Sequence, residues 1–133
     1  MAVTVGVVLG IVVWAFGRLV GIDRDRAYYA TILAVVALYY ALFAVMGSSL
    51  SALAQESVAI VVFFVMTAIG FRKSPWVVVA GLAGHGAYDS VHGLLITNPG
   101  MPVWWPAFCG SIDVTMAAGM AWILVRSNAS QKA

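Results

Sequence analysis

The chain has 133 residues, of which 63% are hydrophobic and only 9% are charged. A soluble protein of this length cannot bury so much apolar surface, so the composition excludes an ordinary soluble domain and predicts a single integral membrane domain over residues 1–133. The net charge of +2 is carried by basic residues near the ends of apolar runs, without a basic stripe, which argues against a nucleic-acid partner. Cys109 is the only cysteine, which excludes an intramolecular disulfide.

Five apolar runs each approach the roughly 20 residues that are needed to cross a bilayer. Ser74 and Pro75 are suited to the start of the fourth helix, as its N-cap and its first helical residue. The segment 97–106 contains three of the four prolines and predicts an irregular loop. The sequence therefore predicts an all-α fold, a polytopic bundle of five transmembrane helices. The expected spans are residues 2–20, 27–46, about 52–71, 76–96 and about 107–125.

The basic residues predict an orientation for this bundle. All seven flank the first loop, the third loop or the C-terminal tail, and none lies in the second or fourth loop. Because positive charge is retained in the cytoplasm, the N-terminus should face outward and the C-terminus inward, in a plasma or inner membrane. The seven are Arg18, Arg24, Arg26, Arg72, Lys73, Arg126 and Lys132.

Five ionisable side chains lie inside these apolar runs. His85, Asp89 and His92 belong to the segment GHGAYDSVHGL and are spaced i, i+4 and i+7, so a helix places them on one face. Asp113 and Glu56 lie in the fifth and third predicted spans. In the predicted orientation all five fall in the outer half of the bundle. Ionisable groups inside a membrane are costly, and they usually face a partner or a cavity.

This polar group is compatible with three roles. Imidazole and carboxylate groups suit a divalent metal such as zinc, iron or manganese, with His85, Asp89, His92 and Asp113 as candidate ligands. The same residues and Glu56 can instead act in acid–base catalysis or proton relay. They can also serve packing alone. His85 and His92 lie about 10 Å apart along a regular helix, so without a bend Asp89 should pair with only one histidine.

A longer pattern follows from the loop and the fifth run. The spacing H-x-x-x-D-x-x-H, then N-P, then prolines, then C-x-x-x-D resembles a family of small bacterial and fungal multi-pass membrane proteins. The resemblance implies a membrane-embedded protein of similar length, but no established activity, and it groups the loop with the histidines. The pattern falls on His85, Asp89, His92, Asn98, Pro99, Pro102, Pro106, Cys109 and Asp113.

These observations leave several functions open. We expect a membrane-embedded enzyme, or a binding protein, for an apolar or lipid-like small molecule that enters from the bilayer. The first alternative is a carrier or channel for protons, metal ions or solutes, acting as a homo-oligomer because five helices enclose little space. The second is a structural or accessory subunit with a polar cluster used for packing. The inner halves of the spans are nearly all apolar, which favours a pocket open to the outer side.

Overall fold

Five α-helices follow one another along the chain, joined by short connections. The computed structural model describes residues 1–132, and side chains through residue 130. A single 3₁₀ turn, Ile22–Arg24, lies between the first two helices, and residues 1–132 contain no strand. The prediction of an all-α fold is therefore confirmed. The helices are α1 (Ala2–Val20), α2 (Ala27–Met46), α3 (Leu50–Arg72), α4 (Pro75–Leu95) and α5 (Trp105–Lys132).

Four of the helices are long and apolar enough to cross a membrane, namely α1, α2, α3 and α5. This composition is that of a membrane protein. Helix α4 has 21 residues but is not among the four, because it carries the histidines, Asp89 and several glycines in place of aliphatic side chains. The fifth span and the orientation of the chain remain predictions. Helix α5 extends beyond the predicted run 107–125 at both ends.

The helix ends follow the chemistry of the connecting residues. The Ser49 hydroxyl accepts a hydrogen bond from the backbone N–H of Ala52 at 3.1 Å and caps α3. Ser74 is the N-cap of α4 without a side-chain hydrogen bond, and Pro75 occupies the first turn. The connection after α4 is shorter than the predicted loop 97–106, because α5 already begins at Trp105.

Helix α4 lies at the centre of the packing. It contacts α3 on one side and α5 on the other, and it also touches α2, while α1 packs against α5. Gly6 and Gly10 let α1 approach α5 closely: a Cβ at Gly6 would overlap Ser111, and one at Gly10 would lie 2.9 Å from the Thr115 Cβ. The central position of α4 means that His85, Asp89 and His92 face neighbouring helices rather than the outside of the bundle.

Candidate functional site

The ionisable residues of the predicted spans meet near one end of the bundle. The C-terminal ends of α2 and α4 and the N-terminal ends of α3 and α5 lie at this end, which we call the loop end. Most of the polar side chains lie six to ten residues inside their helices, roughly 9–15 Å from the helix ends, and His92 lies three residues inside α4. All are at most 2% exposed; they are Tyr40, Glu56, His85, Asp89, His92 and Asp113.

The first group forms around His85. Its Nδ1 atom lies 2.7 Å from Oδ2 of Asp113 and 3.6 Å from Oδ2 of Asp89. The other Asp89 oxygen, Oδ1, accepts a hydrogen bond from the Tyr40 hydroxyl. Since ionised carboxylates only accept hydrogen bonds, Nδ1 is the protonated nitrogen when Asp113 is charged. Helices α2, α4 and α5 therefore all contribute side chains to one point.

Cys109 completes this group. Its Sγ atom lies 3.8 Å from Oδ2 of Asp113, one helical turn further along α5. One potential ligand atom each from His85, Asp89, Cys109 and Asp113 lies within 4.8 Å of the other three, and all four residues are buried. We call these four residues the His85 cluster. Their atom types, one imidazole nitrogen, one sulfur and two carboxylate oxygens, are a donor set that can hold a metal ion.

Two glycines allow the His85 cluster to form. A Cβ placed at Gly86 would lie 2.9 Å from the Gly110 carbonyl oxygen and 2.8 Å from Cγ2 of Val114. A Cβ at Gly110 would lie 3.2 Å from the Asp89 Cβ. The backbones of α4 and α5 can therefore approach closely only because both positions lack a side chain. Each glycine is adjacent to a cluster member, so the same approach brings His85 and Cys109 to the interface.

The second group forms around His92 and lies closer to the loop. The Nε2 atom of His92 is 2.7 Å from Oε1 of Glu56, and the Tyr88 hydroxyl donates to Oε2 of Glu56 at 3.0 Å. The side-chain amide of Asn98 donates to Oε1 of Glu56 and to the backbone carbonyl of Tyr40, each at 3.0 Å. We call this the His92 pair, His92 and Glu56. It joins α3 and α4 to the loop that precedes α5.

The arrangement divides the predicted site residues into two sets. Asp89 associates with His85, as expected for an unbent helix, whereas His92 bonds Glu56. The ligand atoms of the predicted set therefore do not all converge. Those of His85, Asp89 and Asp113 lie close to Cys109 instead of His92. The reason is the seven-residue separation of the histidines along a regular α4, which leaves their side chains facing different neighbours.

Three residues take part in these contacts without being among the candidate site residues that the sequence predicts. Cys109 is one of them, although its spacing of four from Asp113 places both on one face of α5. Asn98 was noted only as part of the loop pattern. Of the adjacent tyrosines, Tyr40 reaches the cluster, while Tyr39 packs on Trp105 with ring centroids 4.9 Å apart.

A groove of about 610 Å³ runs between α1, α4 and α5 near the loop end. Asp89 is the member of the His85 cluster that lines it, and Ser90 and Ser111 add two hydroxyl groups. The remaining lining is mostly apolar or small. These residues are Val3, Val7, Gly86, Val103, Pro106, Ala107, Gly110, Val114 and Thr115.

The fold and the site together define a small α-helical protein with helices of membrane-spanning length and a buried histidine–carboxylate cluster. No protein-family model, curated protein or solved structure matches this chain. The likeness to small multi-pass membrane proteins, carried by the pattern from His85 to Asp113, therefore stays a resemblance.

Proposed function

We propose that the protein is a membrane-embedded enzyme whose substrate is an apolar or lipid-like molecule. In this proposal all five helices span the membrane, with the N-terminus outside and the C-terminus inside. The groove then opens toward the outer half of the bilayer. The observation that carries the proposal is the presence of Asp89 in both the buried His85 cluster and the wall of the groove. The carboxylate itself is buried, so a substrate in the groove would reach it after the Asp89 side chain rotates toward the groove.

The chemistry assigned to the His85 cluster is acid–base or metal catalysis. Asp89 would exchange a proton with a substrate group at the groove, and His85 lies 3.6 Å from it to receive or return that proton. Asp113, at 2.7 Å from the same imidazole nitrogen, would orient the ring and balance its charge. The Tyr40 hydroxyl donates to Oδ1 of Asp89 and so directs Oδ2 toward His85.

The residues beyond the cluster favour an enzyme over a carrier. Toward the opposite end of the bundle, the side chains that follow the polar residues on their own helices are apolar and buried. Within the part of the chain whose side chains the structure describes, this layer contains Leu33, Phe63, Leu82 and Met116. A pathway for ions or protons would need polar groups or water through this layer. A pocket that an apolar layer separates from the opposite end of the bundle fits catalysis or ligand binding better than transport.

The proposal can be tested by untargeted lipid mass spectrometry. The purified full-length protein is incubated with a total membrane lipid extract and compared with His85→Ala and Asp89→Asn. We expect one lipid-soluble species to be consumed by the wild-type protein alone. Ala107→Trp should slow this conversion by filling the groove, whereas Ala118→Trp, also exposed on α5 but outside the groove, should not. Identical lipid profiles for the wild type and both site variants would contradict the proposal.

A further inference from the structure

We infer that the His85 cluster is a zinc site, with Nδ1 of His85, one oxygen each of Asp89 and Asp113, and Sγ of Cys109 as ligands. This inference names the metal of the proposed enzyme and adds Cys109 to its site. A catalytic role for the zinc rests on the proposed function. The binding of zinc itself is a property of the four side chains and can be tested without a substrate.

The distances already approach those of a tetrahedral site. Zinc bonds of about 2.0–2.3 Å place neighbouring ligand atoms roughly 3.3–3.8 Å apart. The Nδ1 atom of His85 lies 3.6 Å from Oδ2 of Asp89, and Sγ of Cys109 lies 3.8 Å from Oδ2 of Asp113. To bind one ion, the His85–Asp113 contact, at 2.7 Å, has to widen by about 0.6 Å, and separations of up to 4.8 Å within the cluster have to shorten by up to about 1 Å. Changes of this size are within reach of side-chain rotations.

A second observation points to a ligand at the same place. Oδ2 of Asp89 and Oδ1 of Asp113 are buried and have no hydrogen-bond partner among the residues that the structure describes. Their side chains are 0% exposed. Buried carboxylate oxygens without partners are costly, and native proteins rarely leave them so. A divalent cation between the two carboxylates would satisfy Oδ2 of Asp89 directly and would balance the charge of both groups.

The donor set selects among divalent metals. Magnesium, calcium and manganese prefer oxygen ligands, and non-haem iron is typically held by two histidines and one carboxylate, whereas a thiolate combined with an imidazole suits zinc. The scaffold is also regular: His85 and Asp89 are one turn apart on α4, and Cys109 and Asp113 are one turn apart on α5. These two i, i+4 pairs face each other across the contact between Gly86 and Gly110, so the positions of the four ligands are largely set by the two helices. Of the metals that the sequence allows, zinc therefore fits this set best.

One of the four ligands can exchange. Asp89 lines the groove, while Tyr40 holds its Oδ1 atom. Four protein ligands close a tetrahedral zinc site, and catalytic sites keep one position open. Displacement of Asp89 toward the groove would open that position on the substrate side. Tyr40 is thus a positioning residue for the exchangeable ligand.

Cobalt replaces zinc as a spectroscopic probe for this site. The purified full-length protein in detergent is stripped with a chelator and titrated with Co²⁺, followed by Zn²⁺. We expect one cobalt ion per chain, the visible bands of tetrahedral cobalt, and a near-ultraviolet thiolate-to-cobalt charge-transfer band that zinc removes. Cys109 is the only cysteine, so this band in the wild-type protein can arise from Cys109 alone. The wild-type result is therefore decisive even if a variant fails to fold.

Variants then test His85, Asp113 and Cys109 individually as ligands. His85→Ala and Asp113→Asn should lose stoichiometric cobalt binding, and Cys109→Ser should lose the charge-transfer band. His92→Gln, a histidine on the same helix that pairs with Glu56, should retain both metal and spectrum. Absence of stoichiometric uptake, or uptake without the thiolate band, overturns the zinc site as inferred. If metal-free protein converts the lipid, the protein is an acid–base enzyme and zinc is not needed for its activity. If the protein binds zinc but converts no lipid, the proposed enzyme is wrong and the metal site is retained.

Discussion

The phenol ring of Tyr40 stacks on the imidazole of His92, with ring centroids 4.1 Å apart and planes inclined by 14°. Its hydroxyl group donates to Asp89 in the neighbouring cluster, and its backbone carbonyl accepts from Asn98. One residue of α2 therefore touches the His85 cluster, the His92 pair and the loop. Because the ring and the hydroxyl contact different groups, their contributions can be separated by substitution.

Tyr40→Phe removes the hydroxyl group and keeps the ring. We expect cobalt affinity to fall by about 10–100-fold, since the loss of a group that orients a ligand typically has this effect, while the His92 stacking and the fold are retained. Titration of the chelator-treated protein with cobalt measures the change. Tyr39→Phe is the matched control, because the Tyr39 ring packs on Phe43 and Trp105 rather than on the cluster. Equal cobalt affinity in the two variants would mean that Tyr40 does not position Asp89.

Glu56→Gln tests the His92 pair as a structural element. The Glu56 carboxylate accepts from Tyr88 and Asn98 and lies 2.7 Å from Nε2 of His92. An amide keeps one acceptor oxygen but replaces the other with a donor, so the Tyr88 hydroxyl has to accept instead of donate, and all three contacts lose the charged acceptor that strengthens them. We expect the free energy of unfolding to fall by about 1–3 kcal/mol, measured by thermal or denaturant unfolding in detergent.

The same variant should bind cobalt normally, because Glu56 lies outside the His85 cluster. Gln55→Ala is the control, since the neighbouring Gln55 is exposed and bonds only the hydroxyl of Ser51. Loss of cobalt binding in a folded Glu56→Gln protein would show that the two groups act as one site. Unchanged stability would show that the pair contributes little to the fold.

Gly86→Ala tests the close approach of α4 and α5. The added Cβ would lie 2.9 Å from the Gly110 carbonyl oxygen, so the helices must separate, at a cost of about 1–3 kcal/mol. We expect lower thermal stability and weaker cobalt binding. Gly93→Ala is matched to it on the same helix, because nothing lies within 4 Å of a Cβ there. That variant should be neutral or slightly stabilising, since alanine favours helices by up to about 1 kcal/mol. A Gly86→Ala protein that behaves like Gly93→Ala would contradict the assigned role of the glycine contact.

The sequence predicted the helices well because apolar runs of this length, interrupted by glycine, serine and proline, have few other conformations in a membrane. Helical spacing also placed His85 and Asp89 on one face. It could not assign partners, because the choice between Glu56 and Asp113 for each histidine depends on how α3 and α5 are rotated against α4. That rotation is fixed by contacts such as Gly86 with Gly110, which lie far apart in sequence and leave no periodic signal.

The number of spans is the remaining question about the fold, and two glycines bear on it. A Cβ at Gly47, after α2, would lie 2.5 Å from the backbone nitrogen of Gly100, in the loop after α4. The two loops therefore occupy the same end of the bundle. If α3 crosses the membrane away from this end, α4 has to cross back to reach it. The packing thus favours five spans, although α4 is less apolar than the other helices.

Single-cysteine labelling in intact cells tests this topology. In a Cys109→Ser background, Ser48→Cys and Thr97→Cys place thiols at exposed positions of the two loops that meet at the loop end. A membrane-impermeant maleimide should label both from outside, because the basic residues predict that these loops are external. Ser74→Cys, between α3 and α4, should react only after the membrane is permeabilised. If Thr97→Cys, like Ser74→Cys, reacts only after permeabilisation while Ser48→Cys reacts from outside, α4 does not cross the membrane. The His85 cluster would then lie at a membrane surface, and the proposed entry of substrate from the bilayer would fail.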